Sequence, residues 1–583
     1  MKKALGIIIT LVLAMLGMSF ALADAEEHTA NVDGVEYSYI VNEDGTATIS
    51  DAFIFKINSI RIPATIDGYS ITSIGDWAFS SCSDLTSISI PDGVTSIGDY
   101  AFFRCSNLTS ISIPDGVTSI GDFAFSGCEH LVSISLPDSV STISSLTFQG
   151  CDNLVSIAVT NDSTFAFING ALFEKPAKRI IAYLDKSATS YVIPDGITEI
   201  GNSTFYDCPS LISISVPDSI TTIGEGAFNY CTSLTSISIP DGVTTIGEGA
   251  FNYCTSLTSI HIPDSVISIG GNPFVGCDSL ASIELSGNSN FFFAEGILFE
   301  KSTNSIMACL NSLVASEYVV PNGVIEICSS AFSECENLTS ISIPDSVTSI
   351  GKSAFNGCEN LTSISIPDSV ISIGVAAFSG CKSLTSISIP DSVTSIGKST
   401  FSGCENLTSM SIPDSITAIG EYAFSECEGL TSISIPDSIT SIGKSAFSEC
   451  KSLTSISVSD SVTAIGDAAF WGCESLAFVT LSEHITTIGE ETFWGCKNLA
   501  SISIPDSITA IGKFAFSGCE DLTSVFIPAN VTSIGDLTFY ESGIDEGKGV
   551  LHVVEGSYAH SYAIANGYNY DFATESVDMS WLN

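Results

Sequence analysis

"LTSISIPDSVTSIGKSAFNGCEN", residues 338–360, is followed at once by "LTSISIPDSVISIGVAAFSGCKS", residues 361–383. Two 23-residue phrases this alike imply that each packs against a copy of itself. Aligned on the core IGxxAF, eighteen copies run from Ile74 to Phe539, in blocks of four, four and ten. Ser144 and Cys328 replace the glycine in two of them. A fixed period in the low twenties predicts a solenoid with one coil per repeat.

Each position of the phrase has a physical reading. Leu338, Ile341 and Ile343 point inward from a short parallel strand, while Ser340 and Ser342 alternate outward. Pro344 ends the strand because it has no N–H for the ladder, and Pro-Asp-Ser makes a turn. Val347 and Ile350 start a second apolar edge, Gly351 allows a tight bend, and Ala354 with Phe355 plugs the third side. At a strand spacing of about 4.8 Å, eighteen such coils give a rod or arc on the order of 90 Å long.

Two stretches break the period. "NDSTFAFINGALFEKPAKRIIAYLDKSATSYVIPDGITEIG" (161–201) and "NSNFFFAEGILFEKSTNSIMACLNSLVASEYVVPNGVIEIC" (288–328) resemble each other, with Phe165 matching Phe291 and Gly170 matching Gly296. They are too apolar for flexible tethers and read as longer repeat variants within one solenoid. At the start, residues 31–56 read as a hairpin turning at Asp44-Gly45, and a degenerate coil, "INSIRIPATIDGYSITSIG", follows. At the end, 550–572 reads as a strand and a short helix that close the stack. The expected divisions are a signal peptide (1–23), an N-terminal β cap with a degenerate first repeat (24–72) and a first repeat block (73–159). A long variant (160–196), a second block (197–285), a second long variant (286–324) and a third block (325–545) follow. A C-terminal cap (546–572) and a tail (573–583) complete the chain.

The leader rests on Lys2 and Lys3, an apolar run and Ala21-Leu22-Ala23, the layout of a cleaved secretory signal with cleavage after Ala23. No later run of 18 uninterrupted apolar residues exists, so no membrane span is expected in the mature chain. The whole chain carries a formal charge of −47, and loss of the two leader lysines leaves 16 − 65 = −49. That strongly acidic balance argues against nucleic acid or anionic lipid as partners, since phosphate binding needs Lys and Arg patches.

The phrase LxxIxIPxSVTxIGxxAFxxC resembles the BspA-type leucine-rich repeat of secreted and surface proteins from bacteria and some protists. The variant G-x-LF-E-K and the ending "GSYAHSYAIANGY" are similar too, so the resemblance covers roughly residues 35–572. It implies a leucine-rich-repeat solenoid: a right-handed stack of about 18 repeats, with a parallel β-sheet on the concave face and short strands or 3-10 turns on the others. It also implies a non-enzymatic bacterial protein, secreted or on the cell surface, that mediates adhesion or recognition of an extracellular protein or cell-surface ligand. It carries over no catalytic residue and no cofactor.

Seventeen of the 19 cysteines occupy one repeat position, from Cys82 to Cys519. They read as small buried apolar fillers after the phenylalanine; a disulfide ladder or a metal stack is the alternative, although the clustered spacing of a zinc site is absent. Free thiols in an exported chain point to an anaerobic setting. Off the ladder, Cys309 and Cys328 are a candidate pair. The outward serines, among them Ser340, Ser342, Ser363, Ser365, Ser386 and Ser388, form an uncharged hydrogen-bonding platform. Contact candidates lie where its pattern breaks: His261 and Glu284 at the second serine position of consecutive coils, and Phe478, Thr480 and Phe526 at that position further on. Trp471 and Trp494 share a slot in adjacent coils, so they lie side by side, packed on each other or offered to a sugar ring. The Asp row that includes Asp345 and Asp368 is turn chemistry, with one acid per coil and no metal expected. No H-E-x-x-H, G-x-S-x-G or P-loop occurs. Carbohydrate or envelope-glycan binding through exposed aromatics, and ice or mineral binding by the serine rows, are the alternative functions.

Overall fold

The computed structural model describes residues 27–573 apart from 55 and 286. The leader expected at 1–23 lies outside the described residues, as does the tail from 574 onward.

The opening phrase forms one coil with three sides, each hydrogen-bonded to the next coil. On the first side, the strand Ser340–Ser342 pairs in parallel with Ser363–Ser365, residue for residue at a spacing of 23. On the second, Ser349–Ile350 pairs with Ser372–Ile373. The third side is a run of turns whose N–H groups still reach the neighbouring coil. Ser353 N, Phe355 N and Gly357 N donate to the carbonyls of Val375, Ala377 and Ser379, each at 2.8 Å. Leu338, Ile341, Ile343, Val347, Ile350, Ala354, Phe355 and Cys358 are all buried inside this triangle.

The polar letters of the phrase are bound by the same register. Thr362 donates both its N–H (2.9 Å) and its hydroxyl (3.0 Å) to the carbonyl of Thr339. The Ser369 hydroxyl reaches the Val347 carbonyl at 2.7 Å. Such bonds contribute about 1 kcal/mol each and fix the coil-to-coil offset. Gly351 has a different role from the bend expected of it. A Cβ there would sit 2.5 Å from Ser329 N, so the missing side chain admits the backbone of the coil beneath.

The chain divides into two compact units, Met1–Lys186 and Ser187–Asn583. The boundary falls inside the first long variant. In the first unit, three antiparallel strands, Glu27–Val32, Val35–Val41 and Ala47–Phe53, open the stack. The last of them pairs in parallel with Tyr69–Ile74, which starts the ladder. The Asp44-Gly45 hairpin is present, and a second one precedes it. Asp33 and Gly34 both have positive φ, the backbone of a tight hairpin turn. The degenerate coil supplies Ser59–Arg61, which pairs with Ser87–Ser89. Phe79, Phe102, Phe125 and Phe148 then stack at 5.4, 5.4 and 5.9 Å between ring centroids.

The second unit holds the other two blocks. Phe205, Phe228, Phe251 and Phe274 stack at 5.2–5.9 Å. From Phe332 to Phe539, ten rings follow one another at 5.2–5.6 Å, within 15° of parallel. A continuous buried core runs from Ile297 to Ala563. At the end, Val550–Val553 pairs with Ser524–Ile527, and Tyr570–Phe572 pairs with Val550–Val553. The helix Tyr558–Asn566 connects the last two, capped by Ser557 and ended by Gly567 in the left-handed conformation.

Each long variant contains an antiparallel meander. The first is Phe165–Ile168, Ala171–Glu174 and Arg179–Tyr183; the second is Phe291–Ala294, Ile297–Glu300 and Ser305–Cys309. Asn169-Gly170 and Glu295-Gly296, all at positive φ, make the two tight turns. In the second unit, Ser305–Cys309 runs parallel to Glu326–Ile327 and so returns the chain to the ladder.

The ring column sets an expected cost. Phe447→Ala should destabilise the second unit by about 3–5 kcal/mol in denaturant unfolding, from lost burial plus the cavity. Ser434→Ala, on the outer face of the same coil, should stay within about 0.5 kcal/mol. Equal losses for the two would contradict the packing described.

Candidate functional site

Two features repeat along the chain and could carry chemistry: the column of thiols and the outward face of the first strand ladder. Fourteen ladder thiols, from Cys105 to Cys519, donate to the carbonyl of the phenylalanine 26 residues earlier. Cys358 reaches Phe332 O at 3.0 Å and Cys450 reaches Phe424 O at 3.2 Å. The thiol therefore both fills the turn and satisfies a backbone oxygen as a weak donor. Burial pushes the Cys128 and Cys277 thiols up to about 12 from the ordinary 9.0, and raises Cys358, Cys404 and Cys496 as well. These sulfurs are held as neutral thiols, poor nucleophiles and poor metal ligands. Among the described residues, no group of three or more His, Cys, Asp or Glu comes together to hold a metal ion. The pairing considered for Cys309 and Cys328 is not what the structure shows. Cys328 Sγ lies 3.4 Å from Met307 Sδ, whereas Cys309 Sγ lies 2.7 Å from Cys335 Sγ.

The outward face is where the chain presents itself. Ser342, Ser363, Ser365, Ser386 and Ser388 are exposed, and Ser340 is half-buried. Their rows run in register through Ser340↔Ser363 and Ser342↔Ser365, with Ser386 beside Ser363. His261 and Glu284 are direct neighbours on the second outward row. Thr480 sits on that row beside Ser457, and Phe526 beside Ser503. Phe478 does not. Its partner is Ser455, so it stands on the first row, 59% exposed. Trp471 and Trp494 lie on the turn side, stacked at 5.0 Å and 7°, so each ring covers a face of the other.

Several surface features escaped the reading of the sequence. Val192 and Val319 take the second outward position near the ends of the two long variants, and are 68% and 70% exposed. The shared "YVIPDG" and "YVVPNG" endings were the signal. Trp77, Tyr100 and Phe123 form a second aromatic stack at 4.1 and 4.8 Å, one ring per coil at a spacing of 23. Below the second variant, Tyr253 hydroxyl donates to the Glu334 carboxylate and Asn272 Nδ2 to Ser330 O at 3.0 Å. A polar groove of about 370 Å³ opens there, lined by Asp278, Asn311, Ser312 and Glu336 among others.

Near the C-terminal end, Ser524 Oγ lies 3.0 Å from His552 Nε2, and His552 Nδ1 lies 2.6 Å from Asp571 Oδ1. This is the hydrogen-bond order of an acyl-transfer triad. It lies across three adjacent strands whose backbone groups are engaged in pairing, including Val550 N to Thr523 O and Leu551 N to Asn569 O, both at 2.9 Å. Oxyanion stabilisation needs N–H donors aimed at the reacting atom, and the engaged ladder N–H groups are not so aimed. The three residues therefore read as a brace that ties the last strand to the sheet.

Coil, register and outward face define a repeat scaffold. Residues 51–178, 181–305, 308–431 and 417–545 match the BspA type leucine rich repeat region, so the chain belongs to the BspA-type leucine-rich repeat family. It is similar to three solved bacterial proteins. A leucine rich cell surface protein of Faecalibacterium prausnitzii is 28% identical, with 76% of this chain and 96% of that one covered and a TM-score of 0.32. A leucine-rich repeat protein of Eubacterium ventriosum is 21% identical, covering 85% and 95%, with a TM-score of 0.33. One from Bacteroides ovatus is 26% identical, covering 92% and 100%, with a TM-score of 0.25. No curated protein matches the chain.

The raised thiols set a pH dependence. The folded state keeps its protons above the ordinary value of 9.0 while the unfolded chain gives them up, so the stabilisation is complete below about 9 and is lost as pH rises towards 12. The denaturant midpoint of the reduced protein should be flat from pH 7 to about 8.5 and fall steadily above it. A midpoint unchanged up to pH 11 would show that the thiols are not held in the neutral form.

Proposed function

We propose that this is a bacterial secreted or surface-displayed recognition protein that adheres to an extracellular protein, a host matrix component or a neighbouring cell. The observation that carries the reading is the outward face of the strand ladder. Long uncharged hydroxyl rows are interrupted there by His261 with Glu284, by Phe478 with Thr480, and by Phe526. A polar platform with a few aromatic anchors fits the anatomy of protein–protein contacts, where Tyr, Trp and Phe are enriched. Membership in a leucine-rich repeat family supports binding as the general role. The leader-like start supports export, and no helix among the described residues is long and apolar enough to cross a membrane.

Glycan binding through Trp471 and Trp494 is the weaker reading, because their stacked rings already cover one face of each other. Ring-stacking on a sugar needs an open face.

The test is saturable binding of residues 24–583 to extracellular matrix proteins and to intact host or bacterial cells. Binding should weaken at least tenfold in a Phe478→Ser/Phe526→Ser variant and stay unchanged in Trp471→Ala/Trp494→Ala. No saturable binding to any of these surfaces would overturn the reading. Glycan binding abolished by the double tryptophan variant would replace it with the carbohydrate alternative.

A further inference from the structure

We propose that Cys309 and Cys335 form a disulfide that staples the second long variant to the first coil of the third block. In fourteen coils the ladder thiol rests on a phenylalanine carbonyl 26 residues earlier. For Cys335 the residue 26 places back is Cys309, at the end of the strand Ser305–Cys309. Instead of an oxygen, Cys335 Sγ meets Cys309 Sγ at 2.7 Å, inside the contact distance of two unbonded sulfurs. A bonded pair stands at about 2.03–2.05 Å, so closure needs only a small movement. Both residues are buried, at 3% and 0% exposure, and Cys309 N donates to Ala331 O at 2.7 Å, which holds the two segments together.

Cys105 and Cys231 also have a thiol neighbour, Cys82 and Cys208, but each keeps the carbonyl partner that Cys335 lacks. Cys105 and Cys231, the second ladder thiols of the first two blocks, donate to Phe79 O and Phe205 O, both at 3.1 Å. In the first long variant the residue aligned with Cys309 is Tyr183, so that variant cannot make the link. Cys328, the nearest competitor in sequence, turns to Met307.

The bond would form by thiol–disulfide exchange. The two thiols lose two protons and two electrons to a disulfide of a protein or low-molecular-weight partner, whose own S–S bond breaks to give two thiols. Because the pair is buried once folded, exchange takes place while the chain folds, before this turn closes. The closed loop would restrict the unfolded chain over residues 309–335, from the last residue of the meander to the first coil of the third block.

The full chain, folded in a mixture of reduced and oxidised glutathione, provides the test. It is denatured in excess iodoacetamide and cleaved after glutamate. Glu317, Glu326, Glu334 and Glu336 place Cys309, Cys328 and Cys335 on separate fragments. Mass spectrometry should find the Cys309 fragment joined to the Cys335 fragment, two hydrogens lighter than their sum, and reductant should separate them. Cys328→Ser should leave the link intact, and Cys335→Ser should abolish it. Recovery of Cys309 and Cys335 fully alkylated in the wild-type chain, or of Cys309 joined to Cys328, would overturn the assignment.

Discussion

No coil of this chain has an interior of its own. Twenty-three residues that close a triangle can bury Leu338, Ile341, Val347 and Phe355 only if equal coils lie above and below. The backbone imposes the same condition, because N–H groups on all three sides find their carbonyls in the neighbouring coil. Every other feature follows from this need to match. The threonine that bonds twice to the preceding threonine carbonyl, the serine of the Pro-Asp-Ser turn and the thiol beneath the phenylalanine are all cross-coil contacts. A repeat that drifted in any of them would leave a void or an unsatisfied group in two coils at once.

Freedom then remains only outside. The outward serines touch water, and exchange there costs little, so His261, Glu284, Phe478 and Phe526 can differ from their neighbours without loss of fold. The same logic separates the two tryptophans from the two phenylalanines. Trp471 and Trp494 spend a face on each other, whereas Phe478 stands with more than half its surface in solvent.

Much of this was legible in the sequence because repetition amplifies weak signals. Period, strand position and the block lengths of four, four and ten could be read from residue spacing. What escaped was non-repetitive or three-dimensional. The strand Glu27–Val32 rests on an Asp33-Gly34 turn, the same signal as Asp44-Gly45 but in a stretch without periodicity. Asn169-Gly170 and Glu295-Gly296 likewise mark hairpins, inside segments whose resemblance to the repeat hides the local turn. The role of Gly351 depends on how near the adjacent backbone comes, which one coil's sequence does not encode. Cys309 and Cys328 share only their place off the ladder, whereas the offset of 26 residues sets Cys309 Sγ beside Cys335 Sγ. Phe478 reads in the sequence as a second-row residue beside Thr480, and the strand pairing with Ser455 sets it on the first row.

If coils are interchangeable units bound only by register, whole ones can be removed and fractions cannot. Excision of residues 361–383 takes out one coil and rejoins Asn360 to Leu384, which restores the phrase. Far-ultraviolet circular dichroism per residue and the cooperative denaturant transition of that shortened chain should match the parent. A chain lacking only 361–371 should lose both. Loss of structure on removing the exact coil, or tolerance of the partial deletion, would contradict the coil-by-coil register on which the whole structure depends.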